Sequence, residues 1–379
     1  MKISSYECFV VRNQFTPRTG VSILYIDTFS YVLVKLVDSN GVTGWGESYA
    51  SPGVMDAVGA VAGTLVGRDA SLRTLLRDVR FAAGGIHGGG FATSALSLAL
   101  EDLHARQRGV AVAELYGGRV RDDVRAYAAS GGYTEREHPS ITWPAELDRA
   151  LEAGFTALKL RIGGYPIEVE ARLLEQLRDR APDGFDLMAG GNAAYMLPDA
   201  LRMGAVLGDL GFAWYEEPML QRGYVGYAEL TRRLTVTVAG GEGIVHRTEA
   251  ARYLADRFVD LIQPDPVICG GVGDALFIAE LAAAHGVMAT PHTSNSALGI
   301  TAGLHIIGCL PNPTRAMHGG VEPVLEFGID ASIWRTSLLA ESHVMTGGRI
   351  PVPTGPGFGV EIDEAHVRNV AVASSSGPT

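Results

Sequence analysis

From Asp123 onward the chain repeats one hydrophobic pattern: a short apolar run, a glycine-rich or polar break, then a longer amphipathic stretch. The apolar runs predict strands at Val124–Ala128, Ala157–Ile162, Asp186–Ala189, Ala213–Glu216, Val236–Ala239, Leu261–Gln263, Val287–Thr290 and Val324–Phe327. The stretches between them carry apolar residues at helical spacing. They predict helices over Pro144–Ala153, Glu168–Ala181, Pro198–Leu210, Tyr224–Leu234, Thr248–Asp256, Val272–His285 and Ala297–Ile307. That makes about eight βα periods, the number that closes a parallel barrel. An open doubly wound sheet is the alternative, but the G-x-G-x-x-G turn usual after its first strand is missing.

Before Asp123 the pattern differs. Residues 2–12 alternate as a strand, Tyr31–Val37 forms a second, and Asp38–Gly41 is an Asn-Gly type turn into a third over Val42–Glu47. Helical periodicity follows over Val54–Val66, Ser71–Phe81 and Ala92–Arg106. On the last helix Leu96, Ala99, Leu100 and Leu103 share a face, and Glu101, Asp102 and His104 read as packing and ion-pair groups. Asn13–Gly20 is a polar stretch, and the interruption over residues 13–24 is too long for a tight turn, so a mobile loop is expected there. The glycine-rich stretch Ala82–Gly90, with His87, lacks the lysine of a phosphate-binding loop and reads as a flexible connector. The expected organisation is an α+β unit over residues 1–122, a barrel over 123–335, and a turn-rich segment over 336–379 packing back on the first unit. The tail Ser374–Thr379 is expected to fray.

Composition narrows the function classes. With 379 residues, 47% of them hydrophobic and 19% charged, a large core is feasible. A formal charge of −11 argues against nucleic acid or an anionic membrane as partner. Cys8, Cys269 and Cys309 are far apart and form no CxxC pair, so neither a disulfide framework nor a zinc ribbon is indicated, which suits a reducing cytoplasm. The first residues lack the apolar core of a signal peptide, and no run reaches the roughly 18 apolar residues of a membrane span.

Polar groups recur at the predicted strand ends: Lys159 and Arg161 in ALKLRIG, Asn192 in MAGGNAAY, Glu216 and Glu217 in WYEEPM, Glu242 in AGGEG, Asp265 in QPD and His292 in PHTS. A (β/α) barrel builds its active site from such positions. Lys159 and Arg161 lie two apart and face the same way. Two interior cations require facing carboxylates or a bound anion. Glu216 and Glu242, brought together, repel unless a cation sits between them, and hard oxygen donors suit Mg²⁺. Glu217 points away and reads as structural, pairing a cation behind the barrel. Asp265 beside His292 would fix the imidazole's tautomer and raise its basicity, making a general base or acid. His285, His305 and His318 read as packing or surface residues.

In order and spacing, TGWGES, ALKLRIG, GGNAAY, WYEEPM, AGGEG, QPD, Gly270-Gly271, PHTSNSALG, VLEF and GPGFGVEID resemble the mandelate racemase-like members of the enolase superfamily over essentially the full chain. The resemblance implies an α/β fold: a modified TIM barrel under an α+β capping domain formed by the N-terminal region and the C-terminal tail. It implies removal of a proton α to a carboxylate, with Mg²⁺ and side-chain cations holding the developing charge. By position, Glu216 and Glu242 match two of the three metal-binding acids, and Asp265 with His292 matches the catalytic dyad. Lys159 and Arg161 match the Kx[KR] pair, and Glu326 matches an acid that hydrogen-bonds the substrate carboxylate. Asn192 matches the asparagine of a D-x-N motif close to substrate and metal.

Two positions depart from that pattern. Gly190 stands where the first metal-binding Asp belongs, so Mg²⁺ binding should weaken by a few kcal/mol unless Asn192, a water or a substrate oxygen fills the place. Arg161 is too weak an acid to serve as a second base and suits a bidentate clamp on a carboxylate. The expected activity is Mg²⁺-dependent dehydration of an acid sugar to a 2-keto-3-deoxy acid. A racemase or epimerase of a 2-hydroxy or amino acid derivative is the alternative within the same chemistry. A metal-impaired, non-catalytic carboxylate-binding barrel is the alternative outside it. The resemblance also implies a homo-oligomer, dimer or octamer.

Overall fold

The structure is a computed structural model, and it describes residues 2–69, 71–84, 89–221, 223–313, 321–328 and 338–378. Residues 85–88 of the glycine-rich connector, with His87, and His318 lie outside them.

Strands β1 (Ile3–Val21), β2 (Leu24–Asp38) and β3 (Thr43–Tyr49) form an antiparallel meander, covered by helices α1 (Val54–Leu65), α2 (Leu72–Ala83) and α3 (Gly89–Arg108). Helix α3 is buried almost all round, because it lies between this sheet and the barrel. Glycines in β3 permit the close approach: a Cβ on Gly46 would sit 2.0 Å from Ala95 O, and one on Gly44 would sit 2.3 Å from Ala99 O. Asp102 of α3 accepts backbone N–H bonds from Trp45 (2.9 Å) and Phe358 (2.8 Å), so one buried carboxylate ties helix, sheet and C-terminal segment together.

Two expectations are corrected here. Residues 13–24 are not a loop. β1 continues to Val21 and turns directly into β2, with a register shift between Gln14 and Thr19, and Thr19 and Gly20 also pair with β5 (Tyr133–Thr134). This ribbon has little core to face, so its residues do not alternate between apolar and polar, and the strand pattern vanishes from the sequence. The tail is not frayed over its described residues either. After the last helix (Glu364–Val370), the final strand (Ala371–Gly377) pairs antiparallel with β1, Tyr6 opposite Gly377 and Phe9 opposite Ser374. Backbone ladder bonds hold it despite its exposed serines.

The second sheet contains β4 (Asp123–Ala129), β6 (Ala157–Arg161), β7 (Asp186–Gly190), β8 (Trp214–Glu216), β9 (Thr237–Gly240), β10 (Leu261–Ile262), β11 (Met288–Ala289) and β12 (Leu325–Phe327). From β4 through β6 to β11 consecutive members pair in parallel, and β12 returns to pair with β4. That return excludes the open sheet. Between β11 and β12 threonines close the ring: Thr290 Oγ1 donates to Val324 O (2.7 Å) and accepts from Val324 N (3.1 Å), and Thr293 Oγ1 donates to Glu326 O (3.0 Å). Strands β6 to β10 are buried on both faces, as parallel strands covered by helices must be. The helices between strands are α4 (Pro139–Glu152), α5 (Ile167–Arg180), α6 (Leu197–Asp209), α7 (Tyr224–Arg233), α8 (Arg247–Ala255), α9 (Val272–Ala284) and α10 (Ala297–Cys309). Among the described residues no helix is long and apolar enough to cross a membrane.

Candidate active site

Parallel register brings three consecutive strand ends to one level: Arg161 opposite Gly190, and Gly190 opposite Glu216. Lys159 lies one pleat deeper on β6 and is 1% exposed. Its Nζ reaches Glu216 Oε1 at 2.6 Å and Glu326 Oε1 at 3.3 Å, and it stands over the Tyr127 ring. Arg161 Nη1 donates to Asn192 Oδ1 at 3.1 Å and lies 3.9 Å from Glu216 Oε1. Burial alone would push the Glu216 carboxyl up, but Lys159 and Arg161 outweigh it and hold the group below the usual carboxylate range.

Across the mouth, His292 Nδ1 and Asp265 Oδ2 are 2.8 Å apart. Asp265 Oδ1 accepts from Val267 N (2.9 Å) and Asn295 Nδ2 (3.1 Å), and Tyr49 of the cap donates its hydroxyl to Asn295 Oδ1 at 2.8 Å. The remaining imidazole nitrogen, Nε2, faces Glu242 at 3.5 Å and Glu326 at 3.7 Å. Burial works against the imidazolium, yet Glu242, Glu326 and Asp265 together raise the His292 pKa to about 10. These carboxylates make the imidazole a stronger base than a free one.

All the residues expected at the strand ends, Lys159, Arg161, Asn192, Glu216, Glu242, Asp265, His292 and Glu326, converge on this mouth. Glu217 is corrected. It is buried, and among the described residues no cation pairs with it; its carboxylate accepts from Gln221 Nε2 (2.7 and 2.8 Å) and Gly241 N (3.2 Å). Burial and then Glu242 push its carboxyl well above the usual range. Glu217 and Asn192 both hold positive φ (38° and 41°), which bends the chain sharply at two adjacent strand ends. Gln263, Tyr127, Asn295 and Tyr49 had no role in the sequence reading. Gln263 Nε2 donates to Glu216 Oε2 (2.8 Å), and Tyr127 donates to Glu326 Oε2 (3.2 Å). Gln263 alone left a signal, two residues before Asp265 and therefore on the same strand face.

Glu216 already has Lys159 on one oxygen and Gln263 on the other. At Gly190 a Cβ would meet Arg161 Nη1 at 3.0 Å, so the guanidinium lies where a third carboxylate would begin. Among the described residues no three His, Cys, Asp or Glu side chains are disposed to hold a metal ion. The residues present do not fit a three-carboxylate divalent site.

Residues 6–117 match the mandelate racemase / muconate lactonizing enzyme N-terminal domain, and residues 143–366 match the enolase C-terminal domain-like family. The chain is 30% identical over 376 residues to D-galactarolactone cycloisomerase of Agrobacterium fabrum, covering 96% of this chain and 97% of that protein. It is 29% identical to arabinonate dehydratase of Saccharolobus solfataricus, covering 87% and 88%. The crystal structure of L-talarate dehydratase from Polaromonas sp. JS666, complexed with Mg and L-glucarate, superposes with a TM-score of 0.85 at 24% identity over 100% of this chain and 99% of that one. By its two matching domains, its full-length relatives and its fold, the chain belongs to the enolase superfamily, among the mandelate racemase / muconate lactonizing enzyme-like proteins.

Proposed function

We propose that this protein is an acid-sugar lyase that removes the proton α to a carboxylate and expels the β-hydroxyl, giving a 2-keto-3-deoxy acid. The observation that carries the reading is the Asp265–His292 dyad facing Lys159 and Arg161 across one barrel mouth, with Glu216 and Glu326 between them. The neutral form of His292, a minor fraction at pH 7 because its pKa is raised to about 10, takes the α-proton at Nε2, and the C–H electrons pass into an enediolate held by the two cations. The imidazolium returns that proton to the β-hydroxyl, the C–O bond breaks, water leaves, and the enol tautomerises to the keto acid. Asp265, Glu242 and Glu326 stabilise the imidazolium formed in the first step. Arg161 clamps the substrate carboxylate, and Glu326 orients it. Lys159 and Arg161 hold the developing charge, since, among the described residues, the side chains present do not form a three-carboxylate divalent site.

Curated relatives support this reaction class. Besides arabinonate dehydratase they include L-talarate/galactarate and D-gluconate dehydratases. A second reading, cycloisomerisation, is favoured by the 30% identity to D-galactarolactone cycloisomerase. It shares α-proton removal and differs only in a leaving oxygen that stays tethered to the product.

The test is incubation of the purified protein with a panel of aldonates, aldarates and their lactones in D₂O. Keto-acid formation with loss of water supports dehydration, and an isomeric product supports cycloisomerisation. If no compound reacts or exchanges its α-proton, or if His292→Asn matches wild type, the reading fails. Homo-oligomerisation in the reducing cytoplasm completes the proposal, and light scattering on the purified chain checks its assembly.

A further inference from the structure

We infer that the Arg161 guanidinium, laid across Gly190, does the work of a divalent cation in this site, so that carboxylate binding and enediolate stabilisation proceed without metal. The inference deepens the acid-sugar reading and rests on it for the reaction, but not for the binding step.

Its basis is the register of three strand ends. β6, β7 and β8 deliver Arg161, Gly190 and Glu216 side by side. A side chain at position 190 would stand between the other two. With glycine there, the guanidinium can lean over the backbone of β7: its Nη1 is 3.0 Å from where a Cβ would be and 3.1 Å from Asn192 Oδ1. The same Nη1 stays 3.9 Å from Glu216 Oε1, too far for a tight ion pair. Glu216 instead spends its oxygens on Lys159 (2.6 Å) and Gln263 (2.8 Å).

Arg161 therefore holds a charge in a pocket where only 16% of its side chain meets solvent, with a neutral amide as its close hydrogen-bond partner. A guanidinium has five N–H donors and cannot give up its proton in a protein. Glu326, Glu216 and Glu242 lie near enough to balance its charge, but none makes a close fork contact, and an incoming carboxylate supplies that contact. An acid at position 190 would supply it permanently and compete with the ligand. Glycine at 190 and arginine at 161 thus act as a pair: the first makes the room, and the second fills it with positive charge.

Titration calorimetry on the full-length, EDTA-treated protein tests this, with oxalate as a planar dianion and Mn²⁺ as the metal probe. The expected result is oxalate binding in EDTA, no Mn²⁺ binding, and a loss of roughly ten- to a hundredfold in oxalate affinity for Arg161→Met. Arg161→Lys, which keeps a charge without the fork, should fall in between and serves if the methionine variant is unfolded. Gly190→Asp should gain Mn²⁺ binding and lose metal-free oxalate binding. Oxalate binding that requires Mn²⁺, no oxalate binding under either condition, Mn²⁺ binding by the wild type, or unchanged affinity in Arg161→Met would each overturn the inference. Because turnover is not measured, a failed substrate screen leaves the result intact.

Discussion

Asn295 donates from Nδ2 to Asp265 Oδ1 at 3.1 Å while its own Oδ1 accepts the hydroxyl of Tyr49 at 2.8 Å. A capping-domain strand thereby sets the orientation of an amide that orients the acid of the dyad. Asn295 is 1% exposed, so neither bond can be replaced by bulk water.

Asn295→Ala leaves Asp265 short of a donor and frees the imidazole–carboxylate pair to rotate. An unmet buried hydrogen bond costs about 1–3 kcal/mol, so kcat should fall roughly ten- to a hundredfold with KM little changed. Tyr49→Phe removes only the outer link and should cost less. The ¹⁵N resonance of His292 Nδ1 reports the dyad directly. An unshifted signal in Asn295→Ala would show that the amide does not position it.

Two carboxyls join cap to barrel and make stability depend on pH. Glu101 of α3 accepts from Val272 N (3.0 Å), Gly273 N (2.9 Å) and the Tyr116 hydroxyl (2.6 Å). Glu47 of β3 accepts from Ser296 N (3.1 Å) and from the Ser296 hydroxyl, at the start of α10. Burial pushes both up to about 7. A folded-state pKa above the unfolded value of 4.5 means that the stability these two groups contribute is fully present below pH 4.5 and is lost as pH rises through 7. Each group contributes on the order of 3 kcal/mol to that fall. Denaturation midpoints between pH 4.5 and 8 should drop for the wild type and flatten for Glu47→Gln/Glu101→Gln. An equally steep fall in the double variant would place the titration elsewhere.

Gly46→Ala should destabilise by several kcal/mol, because the new methyl meets Ala95 O at 2.0 Å and Ala99 N at 2.6 Å, both backbone atoms that cannot move without shifting α3. Gly63, inside α1, has nothing within 4 Å of the place a methyl would take, so Gly63→Ala should stabilise by about 1 kcal/mol through helix propensity. Chemical denaturation of the two variants checks the contrast in sign.

Lys159→Met removes the cation between Glu216 and Glu326 (2.6 and 3.3 Å) and leaves two buried carboxylates facing each other. One of them should take up a proton at neutral pH. Activity on any acid sugar found should be lost, by at least about a thousandfold. Infrared spectroscopy should show a new protonated-carboxyl band, and its absence would mean that a bound cation from solution restores the balance.

The strand ends were legible because a parallel barrel obeys a one-dimensional rule. A short apolar run followed by a polar residue marks a strand and the group it delivers, and Lys159, Glu216, Asp265 and His292 all follow that rule. Glu217 shows its limit. Its structural character was legible, but its partners were not: beside the backbone turn at φ 38° it accepts from Gln221 Nε2 and Gly241 N, not from a cation. The ribbon of β1 and β2 failed for a related reason, since strands without a core behind them carry no alternation to read.

The amino-acid sequence alone determined the barrel, its cap and the residues that reach its mouth, because periodicity and chain order are local properties. It also determined that Gly190 carries no ligand. Only the tertiary structure decided what fills that place: register sets Arg161, Gly190 and Glu216 abreast, and the guanidinium, not a carboxylate, occupies the gap. Likewise, only packing brought Tyr49 and Asn295, 246 residues apart in the chain, into one hydrogen bond behind the dyad. Contacts of that span depend on how cap and barrel dock, and no short window of sequence encodes it.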